Sequence, residues 1–408
     1  MTQKIIGSRL SNTTYQAVLC LIIACITLFM MLHLLQGSSP LTPSRYNTYT
    51  LQTMQWRKGK IALEKDYPHL ELAIYQDKYY VSFPPVPTIP VFFLTFLFAD
   101  QVPDTLLIQL YAIMSCLMIY RIFRNMKCSR HPSLTWAFLF CFGSSLLNLL
   151  QNGAVWYQAQ VLAFLLTVAA IERIQSGKPT SGLLFYALSV GCRPFQVLYG
   201  PLLIAYYLIG TKKTRKEASR SLLPGVLLGL LVASLYGVYN FIRFGDILEF
   251  GHNYLPEFSS QGGIQFSLNH IKKHAGTFLL GLPFYHSNGS LVPKRFGFSF
   301  FIANPIYLCL CAWQIRELIK KQFDYLLLIV FGTFVLHCLI LLTHSTCGGF
   351  QFGARYFIDC IPYALLYLVA CSSPPPKKGQ YLESSYFAPL LLFCGMLLSS
   401  YGTATVFI

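Results

Sequence analysis

Residues 14–36 read TYQAVLCLIIACITLFMMLHLLQ, an apolar run with no Asp, Glu, Lys or Arg, and it follows Lys4 and Arg9. A helix of about 20 such residues crosses the hydrocarbon of a bilayer. A secretory signal has a shorter core and a small-residue cleavage site, so this run predicts a retained first membrane helix. Similar runs recur over 104–123, 134–150, 157–173, 180–192, 195–210, 221–240, 297–314, 325–343, 356–373 and 386–407. The expected fold class is therefore an all-α polytopic membrane protein of about eleven helices, with 1–408 as one transmembrane domain. The spans at 180–192 and 195–210 are short and are split by Cys192-Arg193-Pro194, as in a helical hairpin that only just reaches the far side.

Composition agrees. Of 408 residues, 54% are hydrophobic, 15% aromatic and 11% charged, where a soluble domain carries about 25% charged residues. The net charge is +16. A nucleic-acid binder gathers its cations on one soluble face; here they lie between apolar segments, so no nucleic-acid partner is expected and contact with anionic membrane lipid is. The thirteen cysteines sit mostly in apolar runs without metal-ligand spacing and read as small buried hydrophobes. His270 and His274 are four apart but flank Lys272 and Lys273, which oppose a cation; a solvated amphipathic segment is expected there. No metal site is assigned. No phosphate-binding loop, zinc-protease motif or nucleophile elbow is present in the sequence, which leaves an ATP-driven pump unsupported.

Loops 121–131, 211–220 and 315–321 are basic. The positive-inside rule places them in the cytoplasm with the N-terminus, together with Lys377, Lys378 and Glu383. Two long segments, 37–103 and 241–296, then face outward. They are rich in Tyr, Phe, Trp, Gly and Pro and read as packed caps over a membrane cavity. Within the first, the prolines of 84–90 lead into VFFLTFLF, too short to span and expected as an interfacial helix.

Candidate chemistry lies in these caps. Glu71 sits in Leu70-Glu71-Leu72-Ala73, where partial desolvation would suit its carboxylate to accept a proton; a solvated loop acid is the alternative. Arg193 interrupts an apolar stretch just before Pro194. A guanidinium there either holds a phosphate, helped by the following helix N-terminus, or snorkels to the interface. Arg243 ends the seventh span and either meets a phosphate or pairs with Asp246 or Glu249. Arg355 and Tyr356 follow a glycine-rich run and either contact an anion or anchor the interface.

These residues fall in pieces with a familiar order: GKIAL at 59–63, LELAIYQDKYYVSFPPVPTIP at 70–90, GCRPF at 191–195, YNFIRFG at 239–245 with FGHNY at 250–254, and GGFQFGARYFIDCIP at 348–362. The ordered set resembles the GT-C superfamily of integral-membrane glycosyltransferases, close to bacterial family-39-like members. The resemblance implies a sugar donor carried on a polyprenyl phosphate, a first-loop carboxylate that deprotonates the acceptor, and attack at the anomeric carbon that expels the lipid phosphate with inversion. It implies a multi-pass protein of the bacterial plasma membrane and an extracytoplasmic glycan, lipid or protein as acceptor, and it admits a divalent cation as cofactor. In one respect the sequence departs from the pattern. Most relatives carry an Asp or an Asp-Glu pair just after the first helix, whereas 37–63 contains no acid. Glu71 matches a later acidic place in a D-x-A-x-Y-x-G-K-Y-Y-like motif, so Glu71 is the expected base, with Asp77 and Glu64 behind it. Arg193 is the first candidate for the phosphate, then Arg355 and Arg243, with Tyr80 and Tyr356 beside them. Two rival functions remain: a transporter or flippase of lipid-linked precursors, which would need more mid-membrane acids than the chain has, and a non-catalytic assembly protein, which the missing early acid keeps in view.

Overall fold

A computed structural model describes residues 12–259, 265–321, 324–371 and 386–406. Lys4, Arg9, Lys377, Lys378 and Glu383, used above for orientation, lie outside the described residues.

The apolar runs form helices, and breaker residues set their lengths. Among the described residues, six helices are long and apolar enough to cross a membrane: Asn12–Gln36, Asp104–Asn125, Val155–Gln175, Arg215–Phe244, Tyr325–Leu342 and Phe387–Val406. The expected count of about eleven is not confirmed, because among the described residues the other runs fold as shorter pieces. The run at 134–150 becomes Arg130–Phe142 and Leu146–Leu149. Between them, a Cβ on Gly143 would lie 2.5 Å from the carbonyl oxygens of Leu139 and Leu392, so only glycine allows this approach. Proline, which ends or starts helices, divides the rest. The run at 195–210 starts with a 3-10 turn at Pro194–Leu198 before Tyr199–Gly210, next to Pro179–Val190. Pro305 separates Phe300–Ala303 from Ile306–Ile319. A 3-10 turn at Arg355–Cys360 precedes Ile361–Cys371.

Burial sorts the long helices. In Val155–Gln175, 89% of the apolar window is buried, against 11% in Arg215–Phe244. The first packs on Asp104–Asn125 and Pro179–Val190 and forms the centre of the bundle. The second rests on Pro179–Val190 and turns Leu227, Leu230, Leu231 and Leu235 outward. A helix apolar on all sides suits either a core or hydrocarbon, and these two take one role each. The outer helix begins with a capping box, Thr214 and Glu217, and ends at Gly245 in the left-handed region, φ +73°.

The two long loops are folded. The first contains the helix Thr48–Trp56, an antiparallel hairpin of Leu72–Tyr75 with Lys78–Val81, and the helix Thr88–Phe98 where an interfacial helix is expected. The second holds the helix Leu268–Ala275 and a hairpin of Phe284–Ser287 with Ser290–Pro293. Its turn is Asn288-Gly289, at φ +49° and +76°, the pair that a two-residue hairpin turn favours.

Candidate functional site

The loops enclose a cavity of about 1060 Å³ at one end of the bundle. Its walls come from Glu71, Phe83 and Pro84, which flank the first hairpin, the start of Val155–Gln175, residues 192–195, residues 248–258, and the segment between Leu341 and Tyr356.

One wall is acidic. Glu71 stands at the start of the hairpin, where its backbone carbonyl accepts the Ser82 hydroxyl at 2.9 Å. Its Oε2 accepts the indole N–H of Trp156 at 2.9 Å. Trp156 belongs to the central helix and lies 5.0 Å from the ring of Tyr46, so a carboxylate on a loop is fixed to the most buried of the long helices. Glu257 lines the same cavity; burial and the charge of Glu71 raise its pKa. Glu249 is engaged locally, accepting the Gly251 N–H and the Asn253 side-chain amide.

Another part of the lining is cationic. Arg193 donates from Nε to Asp359 Oδ2 at 2.8 Å, with side chains 23% and 2% exposed. The second oxygen of Asp359 accepts Gln160 Nε2 at 3.0 Å, and the same amide donates to the Arg355 carbonyl at 2.7 Å. Arginine has five N–H donors; the other four of Arg193 make no hydrogen bond to the protein among the described residues. Arg355 donates from Nη2 to the Gly348 carbonyl at 2.6 Å, while its buried Nε has no partner. Both guanidiniums approach the Tyr356 ring, at 5.1 and 5.2 Å. The glycine-rich run makes this possible: Gly348 and Gly353 stand at φ +114° and +107°, and a Cβ on Gly353 would lie 2.5 Å from Ser145 Oγ.

His252 and His344 complete the lining. Burial, then the positive charge of Arg193, pushes their pKa values down to about 4 and about 3. Both rings are therefore neutral at pH 7. Nδ1 of His344 accepts the Thr346 N–H at 3.2 Å, which leaves Nε2 as its N–H donor.

The structure thus brings Glu71, Arg193, Arg355 and Tyr356 to one cavity and places the other candidates elsewhere. Glu64 is exposed and paired with Lys58 at 2.8 Å, a contact that lowers its pKa. Asp77 is exposed at the hairpin turn with φ +58°. Tyr80 is buried with Ala73 and Phe244. Arg243 is buried too, donating to the Val81 carbonyl at 2.8 Å and Asn240 Oδ1 at 2.7 Å, with Tyr239 stacked 4.1 Å away. It pairs with neither Asp246 nor Glu249; instead it fastens the hairpin to the end of Arg215–Phe244. His270 and His274 donate to the carbonyls of Thr343 and Ser345, and among the described residues no group of three His, Cys, Asp or Glu is placed to hold a metal ion.

Sequence reasoning missed Asp359, Trp156, Gln160 and Glu257. Asp359 gave a signal, since it is the single acid in the 356–373 run, and an ionisable residue there marks a site by default. Trp156 and Gln160 gave none, because their partners are distant in sequence.

No protein-family profile and no curated protein matches the sequence. Solved structures match its fold. Archaeal oligosaccharyltransferase AglB from Archaeoglobus fulgidus, in complex with an inhibitory peptide and a dolichol-phosphate, aligns with a TM-score of 0.54 at 12% identity, over 97% of this chain and 56% of that one. The same organism's oligosaccharyltransferase, tethered to an acceptor peptide, aligns with a TM-score of 0.52 at 12% identity, over 96% and 55%. The chain spans just over half the length of these proteins. Its fold is theirs.

Proposed function

We propose that the protein is a membrane glycosyltransferase that moves a sugar from a polyprenyl-phosphate donor to an extracytoplasmic acceptor: a glycan, a lipid or a protein of the cell envelope. The observation that carries this reading is one cavity with Glu71 on one wall and Arg193 and Arg355 on another, in a fold shared with a protein that holds a dolichol-phosphate.

Glu71 takes the proton from the acceptor nucleophile as that atom bonds the anomeric carbon. The bond from this carbon to the phosphate oxygen breaks, and the polyprenyl phosphate leaves. A diester of charge about −1 becomes a monoester approaching −2 at neutral pH. Guanidinium donors therefore bind the transition state more tightly than the donor sugar, which is the requirement for catalysis. The Trp156 N–H keeps Glu71 oriented toward the cavity while it works. The polyprenyl chain leaves the cavity past Leu341 and Val406, which belong to long apolar helices and line it. The site faces outward in the plasma membrane, opposite the basic loops 121–131, 211–220 and 315–321.

The test is to incubate purified protein with labelled polyprenyl-phosphate sugars and envelope extract, and to measure released polyprenyl phosphate. Release that disappears in Glu71→Gln, with the fold intact, is expected. Equal turnover in both proteins would remove Glu71 from the reaction. Transfer of intact donor across vesicles without release would make the protein a flippase instead.

A further inference from the structure

The cavity side of the molecule carries an uneven charge. Segment 37–103 is nearly balanced, with six Lys or Arg and five Asp or Glu. In the second loop, 241–296, the acids Asp246, Glu249 and Glu257 all lie in the first part, and the remainder, 258–296, carries Lys272, Lys273, Lys294 and Arg295 and no acid. Cations are expected on the far side of the membrane, so an acid-free cationic segment beside the cavity needs another cause.

Its structure separates a held face from a free one. On Leu268–Ala275 and the turn that continues it, His274 and Phe278 are buried, and His270 and His274 donate to the carbonyls of Thr343 and Ser345, both at 2.9 Å. The opposite face presents Leu268, 77% exposed, Lys272, Lys273 and Leu280, 82% exposed. The second hairpin follows this helix directly: Lys294 N–H donates to the Pro283 carbonyl at 2.9 Å and closes the hairpin's open end, and beyond it Ser299 Oγ donates to the Leu279 carbonyl at 2.8 Å and holds the chain's return against the turn. That brings in exposed Arg295 and Phe296, the latter 70% exposed. Large aliphatic and aromatic side chains interleaved with cations, on a helix pinned by its other face, are the pattern of a segment lying in a headgroup layer.

We infer that segment 268–296 is a docking surface for anionic phospholipid of the adjacent leaflet: Leu268, Leu280 and Phe296 enter the acyl boundary, and Lys272, Lys273, Lys294 and Arg295 receive lipid phosphates. This surface does not depend on the transfer reaction; a protein without glycosyltransferase activity would keep it.

The experiment places the photo-crosslinker p-benzoylphenylalanine at position 280, reconstitutes the protein in nanodiscs of equimolar phosphatidylcholine and phosphatidylglycerol, irradiates, and identifies adducts by mass. The expected result is lipid adducts with about fivefold preference for phosphatidylglycerol, the fold-change equivalent to the attraction of about 1 kcal/mol of one Lys or Arg to an anionic surface. The preference falls to parity in Lys272→Gln/Lys273→Gln/Lys294→Gln/Arg295→Gln and survives in Lys272→Arg/Lys273→Arg, which separates charge from folding. It also survives Lys212→Gln/Lys213→Gln/Lys216→Gln at the other end of the bundle. Adducts in proportion to lipid composition in the unmodified background, adducts to a second copy of the chain, or none, would each overturn the inference, and the polyprenyl-phosphate assay would be unaffected by any of them.

Discussion

Arg193 and Arg243 are both arginines at the end of an apolar run, and the fold uses them in opposite ways. Arg243 meets only neutral partners, a carbonyl, an amide oxygen and aromatic faces, and its work is to join the hairpin to a lipid-facing helix. Arg193 meets one carboxylate through one nitrogen and keeps four donors at a cavity wall. The contrast teaches that a buried guanidinium marks a site when its unpaired donors border a cavity: Arg243 also leaves its Nε without a partner, but it is not part of the cavity lining. Asp359 neutralises Arg193 and holds its plane, so the positive charge of that wall rests chiefly on Arg355, whose Nε has no partner.

The largest expected effect breaks this comparison directly. Arg193→Ala should lower turnover per folded molecule about 100- to 1000-fold, the range for losing one transition-state donor, and should also lower the thermal midpoint, because it leaves the buried Asp359 carboxylate without its countercharge. Arg243→Ala should affect stability alone: it leaves the buried Val81 carbonyl unpaired, costing about 1–3 kcal/mol, and lowers the thermal midpoint with turnover per folded molecule retained. Both are read from release kinetics beside a thermal unfolding scan. If Arg243→Ala abolished turnover in fully folded protein, the division of labour would be wrong.

A smaller effect sharpens the role of Asp359. Asp359→Asn keeps an acceptor for Arg193 but removes the countercharge. Turnover should fall about tenfold with KM altered, a loss smaller than that of Arg193→Ala, because the guanidinium loses its fixed orientation. Arg193→Lys should not restore activity, since an ammonium cannot reach Asp359 and the cavity with separate edges.

The pH dependence belongs to the same wall. His252 and His344 have folded-state pKa values of about 4 and about 3, below the ordinary histidine value near 6.5. The folded state therefore resists their protonation. Their contribution to stability is complete above about pH 6.5 and is lost as pH falls toward 4, at about 1.4 kcal/mol per pH unit for each ring. The thermal midpoint should drop over that window, and His252→Gln/His344→Gln should flatten the slope. An unchanged slope would mean that neither ring is held neutral by the cavity.

Much of this was legible in the chain. Apolar runs gave the helices, and the break at Pro194 was visible, whereas 134–150 and 297–314 read as unbroken: the breaks at Gly143 and Pro305 depended on packing against partners such as Leu392. Glu71, Arg193, Arg355 and Tyr356 were legible because each sits where a charge or a tyrosine borders an apolar or glycine-rich run. The difference between Arg193 and Arg243 was not legible. It depends on Asp359, 166 residues from Arg193, and on Val81, 162 residues from Arg243.

The smallest expected effect concerns Asp77, which the motif resemblance put beside Glu71 as a base. The two-residue turn it shares with Gln76 holds both at positive φ, +49° and +58°, and Asp77 points to solvent, outside the cavity lining. Positive φ at both central positions favours Asn-Gly or Asp-Gly, so Asp77→Gly relieves strain at a site where glycine loses nothing in contacts. The hairpin should become more stable by about 0.5 kcal/mol, a shift of a degree or so in a chain of this size, with turnover unchanged because Glu71 keeps its Trp156 contact. Turnover that fell in Asp77→Gly while remaining normal in Glu71→Gln would exchange the two carboxylates, moving the base from the acid anchored on the central helix to the acid at the hairpin tip.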